Sequence, residues 1–158
     1  MKTLVVYYSQ SGQTRRYAEI IAKKMNADIF EIIPNRRYSD NMWIAWDEAQ
    51  KERKNNKYPD ILGNLPNIDE YDLILIGTGI WGYTMANPVI SFINKTNFIN
   101  KKTSSFWTYY DHDEKVNDDM RQMLKESHYV NGLPLPRSLT SNNDRTNIAI
   151  DNWIKTLH

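Results

Sequence analysis

Lys2-Thr3-Leu4-Val5-Val6-Tyr7-Tyr8 runs straight into Ser9-Gln10-Ser11-Gly12-Gln13-Thr14, and Thr14 to Met25 follows with Tyr17, Ile21 and Met25 four apart. An unbroken run of β-branched and aromatic residues reads as a strand buried on both faces. Apolar residues spaced by four, with Ala18 and Ala22 beside them, read as one face of a helix. The six residues between are polar and carry three hydroxyls and a glycine. Strand, polar loop and helix in direct succession form the opening unit of an α/β protein.

The same alternation continues outward. Asp28 to Ile33 reads as a second strand ended by Pro34, and Met42 to Arg53 as a helix with Met42, Ala45, Trp46 and Ala49 on one side. Pro59, Gly63 and Pro66 mark Tyr58 to Pro66 as a loop. Tyr71 to Gly77 (YDLILIG) is the strongest buried strand, and Pro88 to Lys95 a helix facing inward through Val89, Phe92 and Ile93. Ser104 to Tyr109 makes a fourth strand, and Glu114 to Glu126 a helix with Val116, Met120, Met123 and Leu124 inward. Tyr129 to Leu135 is a weak fifth strand interrupted by Asn131-Gly132, and Arg145 to Leu157 a closing helix. The pattern predicts a doubly wound, five-stranded parallel sheet of order 2-1-3-4-5 with helices on both faces, in one domain spanning 1–158. Ligands of such sheets lie beyond the carboxyl ends of the strands, which singles out the loops after Tyr8, Gly77 and Tyr109.

Composition narrows the function. The 158 residues carry a formal net charge of +1 and contain no cysteine. Disulfides, thiolate catalysis and thiolate metal sites are thereby excluded. A general nucleic-acid binder would concentrate basic charge, and no apolar stretch approaches membrane-spanning length. The one basic cluster, Lys51 to Lys57, contains Glu52 and reads as a solvated helix end. Met1-Lys2 leads directly into the first strand without a secretory leader, so the expected location is the cytoplasm.

The first loop suits a phosphate monoester. Free N–H groups and the positive end of a helix dipole attract the anion, Gly12 allows close backbone approach, and Ser9, Ser11 and Thr14 supply hydroxyls. The Gly-Lys ending of a P-loop is missing. An N-capping turn is the plain alternative. Ser9-Gln10-Ser11-Gly12-Gln13-Thr14 resembles the phosphate loop of the flavodoxin family, written S/T-x-S/T-G-x-T, and matches every defined position. The resemblance implies that these six residues hold the phosphate of FMN. Pro88-Val89-Ile90-Ser91-Phe92-Ile93 is similar to the family's helix after the central strand.

The same resemblance places the flavin ring against two further loops. Thr78, Gly79, Ile80, Trp81, Gly82 and Tyr83 would edge the ring, with Trp81 or Tyr83 as an apolar wall. Relatives are expected to carry Pro at position 79 and Trp-Gly at 82–83, so this loop departs from the pattern. Gly82, or else Gly79, would let a peptide beside flavin N5 turn its carbonyl and so tune the one-electron potentials. Thr108, Tyr109, Tyr110, Asp111 and His112 would cover the other side, with Tyr109 or Tyr110 on the second face and His112 at the N1/O2 edge or simply in solvent. Asp111, His112 and Asp113 alone are a weak metal signal, and His128 and His158 are isolated. Tyr38, Trp43 or Trp46 could stand over the flavin mouth.

Two functions fit these expectations. One is an FMN-dependent oxidoreductase that takes electrons from a reduced nicotinamide and passes them to a quinone or similar small acceptor. The other is a flavodoxin-type single-electron carrier between protein partners. Carriers of the family are strongly acidic, which a net charge of +1 opposes, although Asp111, Asp113, Asp118 and Asp119 could form a local docking patch. A phosphoacceptor receiver domain would need paired acids after the first strand, and Tyr7-Tyr8-Ser9 lacks them.

Overall fold

The computed structural model describes residues 1–113 and 115–158. β1 (Thr3–Tyr7), α1 (Gln13–Met25) and β2 (Asp28–Glu31) open the chain, and α2 (Met42–Asn55) follows a long connection. β3 (Leu73–Trp81) turns back as β4 (Thr84–Met85) before α3 (Asn87–Asn94). Then come β5 (Lys102–Tyr109), α4 (Val116–Met123), β6 (His128–Tyr129), β7 (Leu133–Pro136), α5 (Arg137–Thr140) and α6 (Asn143–Thr156). The helix start expected at Glu114 lies outside the described residues.

The sheet runs β2-β1-β3-β5-β6, with β7 also on β5 and β4 antiparallel on β3. With β6 and β7 as two pieces of one fifth strand, this is the expected parallel order. The break between them has a geometric cause. β5 advances three residues from Thr103 to Phe106 while the edge advances four, from Tyr129 to Leu133. The extra residue makes a bulge at Asn131-Gly132. Side chains meet the backbone groups that leave the ladder. Ser104 Oγ donates to the Val130 carbonyl at 2.9 Å, and Trp153 Nε1 to the Asn131 carbonyl at 3.2 Å.

Strand alternation builds two cores. Leu4, Val6, Ile74 and Ile76 face α3 and α4, where they meet Val89, Phe92, Val116 and Met120. Val5, Tyr7, Leu73 and Leu75 face α1 and α6, where they meet Tyr17, Ile21, Ile150 and Trp153. Each fully buried aliphatic side chain contributes about 1.5–3 kcal/mol.

Two elements depart from the expected outline. β3 does not stop at Gly77. Gly77, Thr78 and Gly79 stay paired with Phe106, Trp107 and Thr108, and Ile80 and Trp81 pair with Met85 and Thr84. Small residues interrupt the apolar run but leave the ladder intact, so the expected loop is a strand extension and a hairpin. α2 is the second departure. Of its fourteen residues only Ala49 is buried, and Met42, expected inward, is 77% exposed. Asn41 caps it by accepting from the N–H groups of Trp43 and Ile44.

Candidate functional site

The carboxyl ends of β1, β3 and β5 converge at one point. Tyr7 is level with Gly77 across β1–β3, and Gly79 with Thr108 across β3–β5. Above them lies the loop from Ser9 to Thr14. Gly12 adopts φ +98°, with open space where a side chain would stand. That left-handed turn suits glycine and lets the chain swing into α1. Ser9 Oγ accepts from the Gly12 N–H at 3.0 Å.

No side chain caps α1. Its ladder begins with Arg16 N–H donating to the Gly12 carbonyl at 3.1 Å. The amides of Gln13, Thr14 and Arg15 therefore stand ahead of the first ladder bond, at the positive end of the helix dipole. The simple capping turn is not what this segment builds. The arrangement fits a phosphate dianion, which accepts from such amides.

Thr14 and Thr108 share a hydrogen bond of 2.9 Å between their hydroxyls. Thr14 Oγ1 also lies 3.9 Å from where a Gly79 Cβ would stand. The structure thus brings Thr14, Gly79 and Thr108, one residue from each loop, to a single spot. Gln10 ties the first loop to the next connection, its Nε2 donating to the Ser39 carbonyl at 3.1 Å. Ser11 and Gln13 are exposed. Beside the loop, an open groove of about 420 Å³ is lined by Tyr8, Ser9, Gln10, Arg36, Arg37 and Leu62 among others.

The second loop holds its members differently. Thr78 is fully buried, and its hydroxyl accepts from the Ala86 N–H at 3.0 Å, fastening the start of α3 to β3. Ile80 is a half-buried ladder residue. Trp81 packs edge-on against Tyr8 (5.6 Å between centroids) and Tyr38 (4.7 Å). Of the two glycines, Gly82 takes a positive φ, +74°. Tyr83 is 68% exposed and meets Trp46 edge-on. Tyr83 is therefore the freer of the two proposed walls.

In the third loop, Tyr109 is half-buried, and burial, then Asp113, raises its phenol above the ordinary range. Tyr110 is exposed, with the Arg137 guanidinium 4.7 Å from its ring centre and bonded to its hydroxyl. Asp111 and His112 are exposed and lie 3.6 Å apart. Among the described residues no cluster of three His, Cys, Asp or Glu could hold a metal. Of the three residues considered for the flavin mouth, Tyr38 is buried and bonds Glu52 through its hydroxyl at 2.7 Å. Trp46 packs behind Gly82, and Trp43 stands 78% exposed on the first turn of α2.

One group escaped the sequence reading. Arg53 belongs to the basic cluster expected in solvent, yet its guanidinium turns inward. It donates to the carbonyls of Trp81 (2.9 Å) and Met85 (3.1 Å) and to Asn87 Oδ1 (2.8 Å). Burial lowers its pKa from the usual arginine value. Neighbouring Glu52 accepts from Asn87 Nδ2 at 2.9 Å and lies 3.6 Å from Arg36. An arginine inside a run of lysines carries no sequence signal of burial. The polar Asn87 at the start of an apolar helix was the nearest hint.

A doubly wound sheet with an uncapped, glycine-turned first helix defines a mononucleotide-binding α/β protein. A family model described as Flavodoxin matches residues 2–157, and the chain belongs to that family. Among solved structures it resembles a flavoprotein in complex with FMN from Lactobacillus acidophilus, with 24% identity, 89% and 96% of the two chains covered, and a TM-score of 0.77. A candidate flavoprotein from Bacteroides uniformis is similar at 25% identity, 98% and 97% coverage and a TM-score of 0.82. Oxidised Flavodoxin 1 from Bacillus cereus is similar at 16% identity, 99% and 97% coverage and a TM-score of 0.61. No curated protein matches the chain. FMN is the cofactor that this family membership brings, and the start of α1 fits its phosphate.

Proposed function

We propose that this chain is an FMN-dependent oxidoreductase that passes electrons from a reduced nicotinamide to a quinone or similar small acceptor in the cytoplasm. The observation that supports it is the formal net charge of +1, which opposes the strongly acidic character of the family's carriers; the acidic residues beside the third loop, Asp111, Asp113, Asp118 and Asp119, are a local exception. Asp113 accepts from the Trp107 indole at 3.0 Å, Asp119 lies 3.9 Å from Lys115, and Asp111 lies 3.6 Å from His112. These four aspartates are a local acidic patch in a chain whose overall charge is close to zero, so long-range steering toward a basic protein partner is weak. Small molecules diffusing to an open mouth need no such patch.

Bound FMN supplies the electron chemistry, accepting a hydride equivalent and releasing electrons to the acceptor. The chain's own residues do the rest. The Gln13, Thr14 and Arg15 amides hold the phosphate end. Thr14, Gly79 and Thr108 fix the separation between the phosphate loop and the strand ends. Tyr83 and Tyr110, exposed on different loops, offer flat apolar faces that cover a planar ring or substrate and displace water from it.

Anaerobic mixing with NADH or NADPH, followed by quinone, tests the proposal. Rapid bleaching of the flavin band by a nicotinamide and its return on adding quinone are expected. A flavin that no nicotinamide reduces, but that a one-electron protein donor does, would replace the enzyme with the carrier.

A further inference from the structure

We infer that Arg53 is a positioning residue that clamps the β3–β4 hairpin and, as a cation directly behind it, raises the reduction potential of the flavin. The inference rests on the FMN reading above. Its geometric half comes from the hydrogen bonds. One guanidinium nitrogen, Nη2, takes the carbonyls of Trp81 and Met85, the residues that bracket the turn through Gly82, Tyr83 and Thr84. The same group bonds Asn87 Oδ1, at the start of α3. A planar fork with fixed donor directions can hold three acceptors in register where a lysine could not. Asn87 is fully buried and has no freedom left, because its Nδ2 donates to the Ala49 carbonyl (3.0 Å) and to Glu52. α2 buries little apolar surface of its own, so this polar junction, together with the Trp46 ring against Gly82 and Tyr83, fastens it to the hairpin.

The electrostatic half follows from the acceptors. All three direct acceptors are neutral, and the two carboxylates that reach the guanidinium electrostatically, Glu52 and Asp119, are shared with Arg36 (3.6 Å) and Lys115 (3.9 Å), so they offset its positive charge only in part. Trp46 covers the same side of the turn, its ring 6.0 Å from the guanidinium carbon and in the space beside Gly82. Partial burial of the guanidinium screens it less from the hairpin than a solvated side chain would be. Reduction of the flavin adds two electrons and one proton and turns a neutral ring into a monoanion. A fixed cation behind the ring-edging loop favours that anion without having to reorganise.

The test compares wild type with Arg53→Met, Arg53→Gln and Arg53→Lys. Midpoint potentials are read on FMN-loaded protein equilibrated with a reference dye, using dithionite as reductant, itself oxidised to sulfite. Chymotryptic cleavage after Tyr83 is followed in the apoproteins. Arg53→Met and Arg53→Gln should lose about tenfold of the preference for reduced over oxidised flavin, about 30 mV for a two-electron couple. Both should also be cut faster at Tyr83. Arg53→Lys should recover the potential but remain easily cut, because it restores the charge without the fork. An unmoved midpoint in a folded, FMN-bound neutral variant overturns the inference. So does loss of the fold in all three variants, since Arg53 would then be a purely structural group. A wild-type chain that takes up no FMN defeats the cofactor reading and this inference with it, whereas uptake with unchanged potentials defeats only the role of Arg53.

Discussion

The ring of Trp46 fills the space in which Gly82 would carry a side chain: a Cβ built there would stand 1.8 Å from Trp46 Cζ3 and 2.1 Å from Cη2. Gly82 also sits at φ +74°, a conformation that costs an L-residue roughly 1–2 kcal/mol. Two constraints therefore meet at one atom. Gly82→Ala should lower stability and FMN affinity together, and it cannot isolate a redox effect of the turn. In Gly82→Ala/Trp46→Ala the steric part should vanish and the backbone part remain. A double-mutant cycle by chemical denaturation should give a coupling of about 0.5–3 kcal/mol. Additive losses would mean that Trp46 simply swings away.

Gly79 is the cleaner probe. Its nearest neighbour, Thr14 Oγ1, would lie at an ordinary 3.9 Å from an added Cβ. Gly79→Ala should leave the apoprotein's unfolding curve unchanged while placing a methyl group where the three loops converge. We expect at least tenfold weaker FMN binding, ~1.4 kcal/mol, in a flavin fluorescence titration. Equal affinity would move the flavin edge away from this strand end. The gap between the one-electron potentials, measured on the same variant, reports whether position 79 also tunes the flavin.

The Thr14–Thr108 bond alters what a cradle substitution does. Thr14 is 3% exposed and shares its hydroxyl with Thr108, so Thr14→Ala leaves a partner unpaired as well as removing the hydroxyl expected to reach the phosphate. The apoprotein should lose about 1 kcal/mol, and FMN affinity a further 1.5–3 kcal/mol, the range for hydrogen bonds to charged groups. Ser9→Ala, at a half-exposed position, should weaken FMN binding with little change in apoprotein stability. Calorimetry of both variants with and without FMN separates the two losses. Identical affinities across wild type and variants would make both hydroxyls bystanders.

Burial pushes the Tyr8 phenol up to about 12, with Arg36 opposing and Glu52 adding to the rise. An ordinary tyrosine in the unfolded chain loses its proton near pH 10. The stability linked to Tyr8 is therefore complete below that point and is lost as pH rises from about 10 to about 12, by at most ~3 kcal/mol. Denaturation midpoints between pH 8 and pH 11.5 should fall, and Tyr8→Phe should flatten that part of the profile. The same slope in wild type and Tyr8→Phe would assign it to other groups.

The strand order followed from the alternation of strand and helix with right-handed crossovers, and the inward faces of α1, α3 and α4 could be read from periodicity because apolar burial writes itself along the chain at fixed intervals. Leu4 and Val5 must face opposite layers whatever surrounds them. The first loop was legible for a different reason: strand, glycine and helix start are consecutive, so local geometry decides the result. The hairpin was not legible. A ladder that continues through Gly77, Thr78 and Gly79 is held by its partners in β5, which lie far away in sequence. Arg53 was hidden for the same reason, since its three acceptors are twenty-eight or more residues distant. Solvated and buried arginines look alike until the tertiary partners are in place.

The bulge at Asn131-Gly132 has a consequence for how copies of this chain behave toward one another. A long, straight outer strand would present a row of open hydrogen-bonding groups on which another chain could add itself. Here that border is cut into pieces of two and four residues, and the longer one reads Leu-Pro-Leu-Pro. Pro134 and Pro136 have no N–H to offer, and the offset between the pieces bends the border away from a common line. A second molecule arriving at this side finds no continuous template. The irregularity that made the fifth strand hard to see is also a guard against fibrous association.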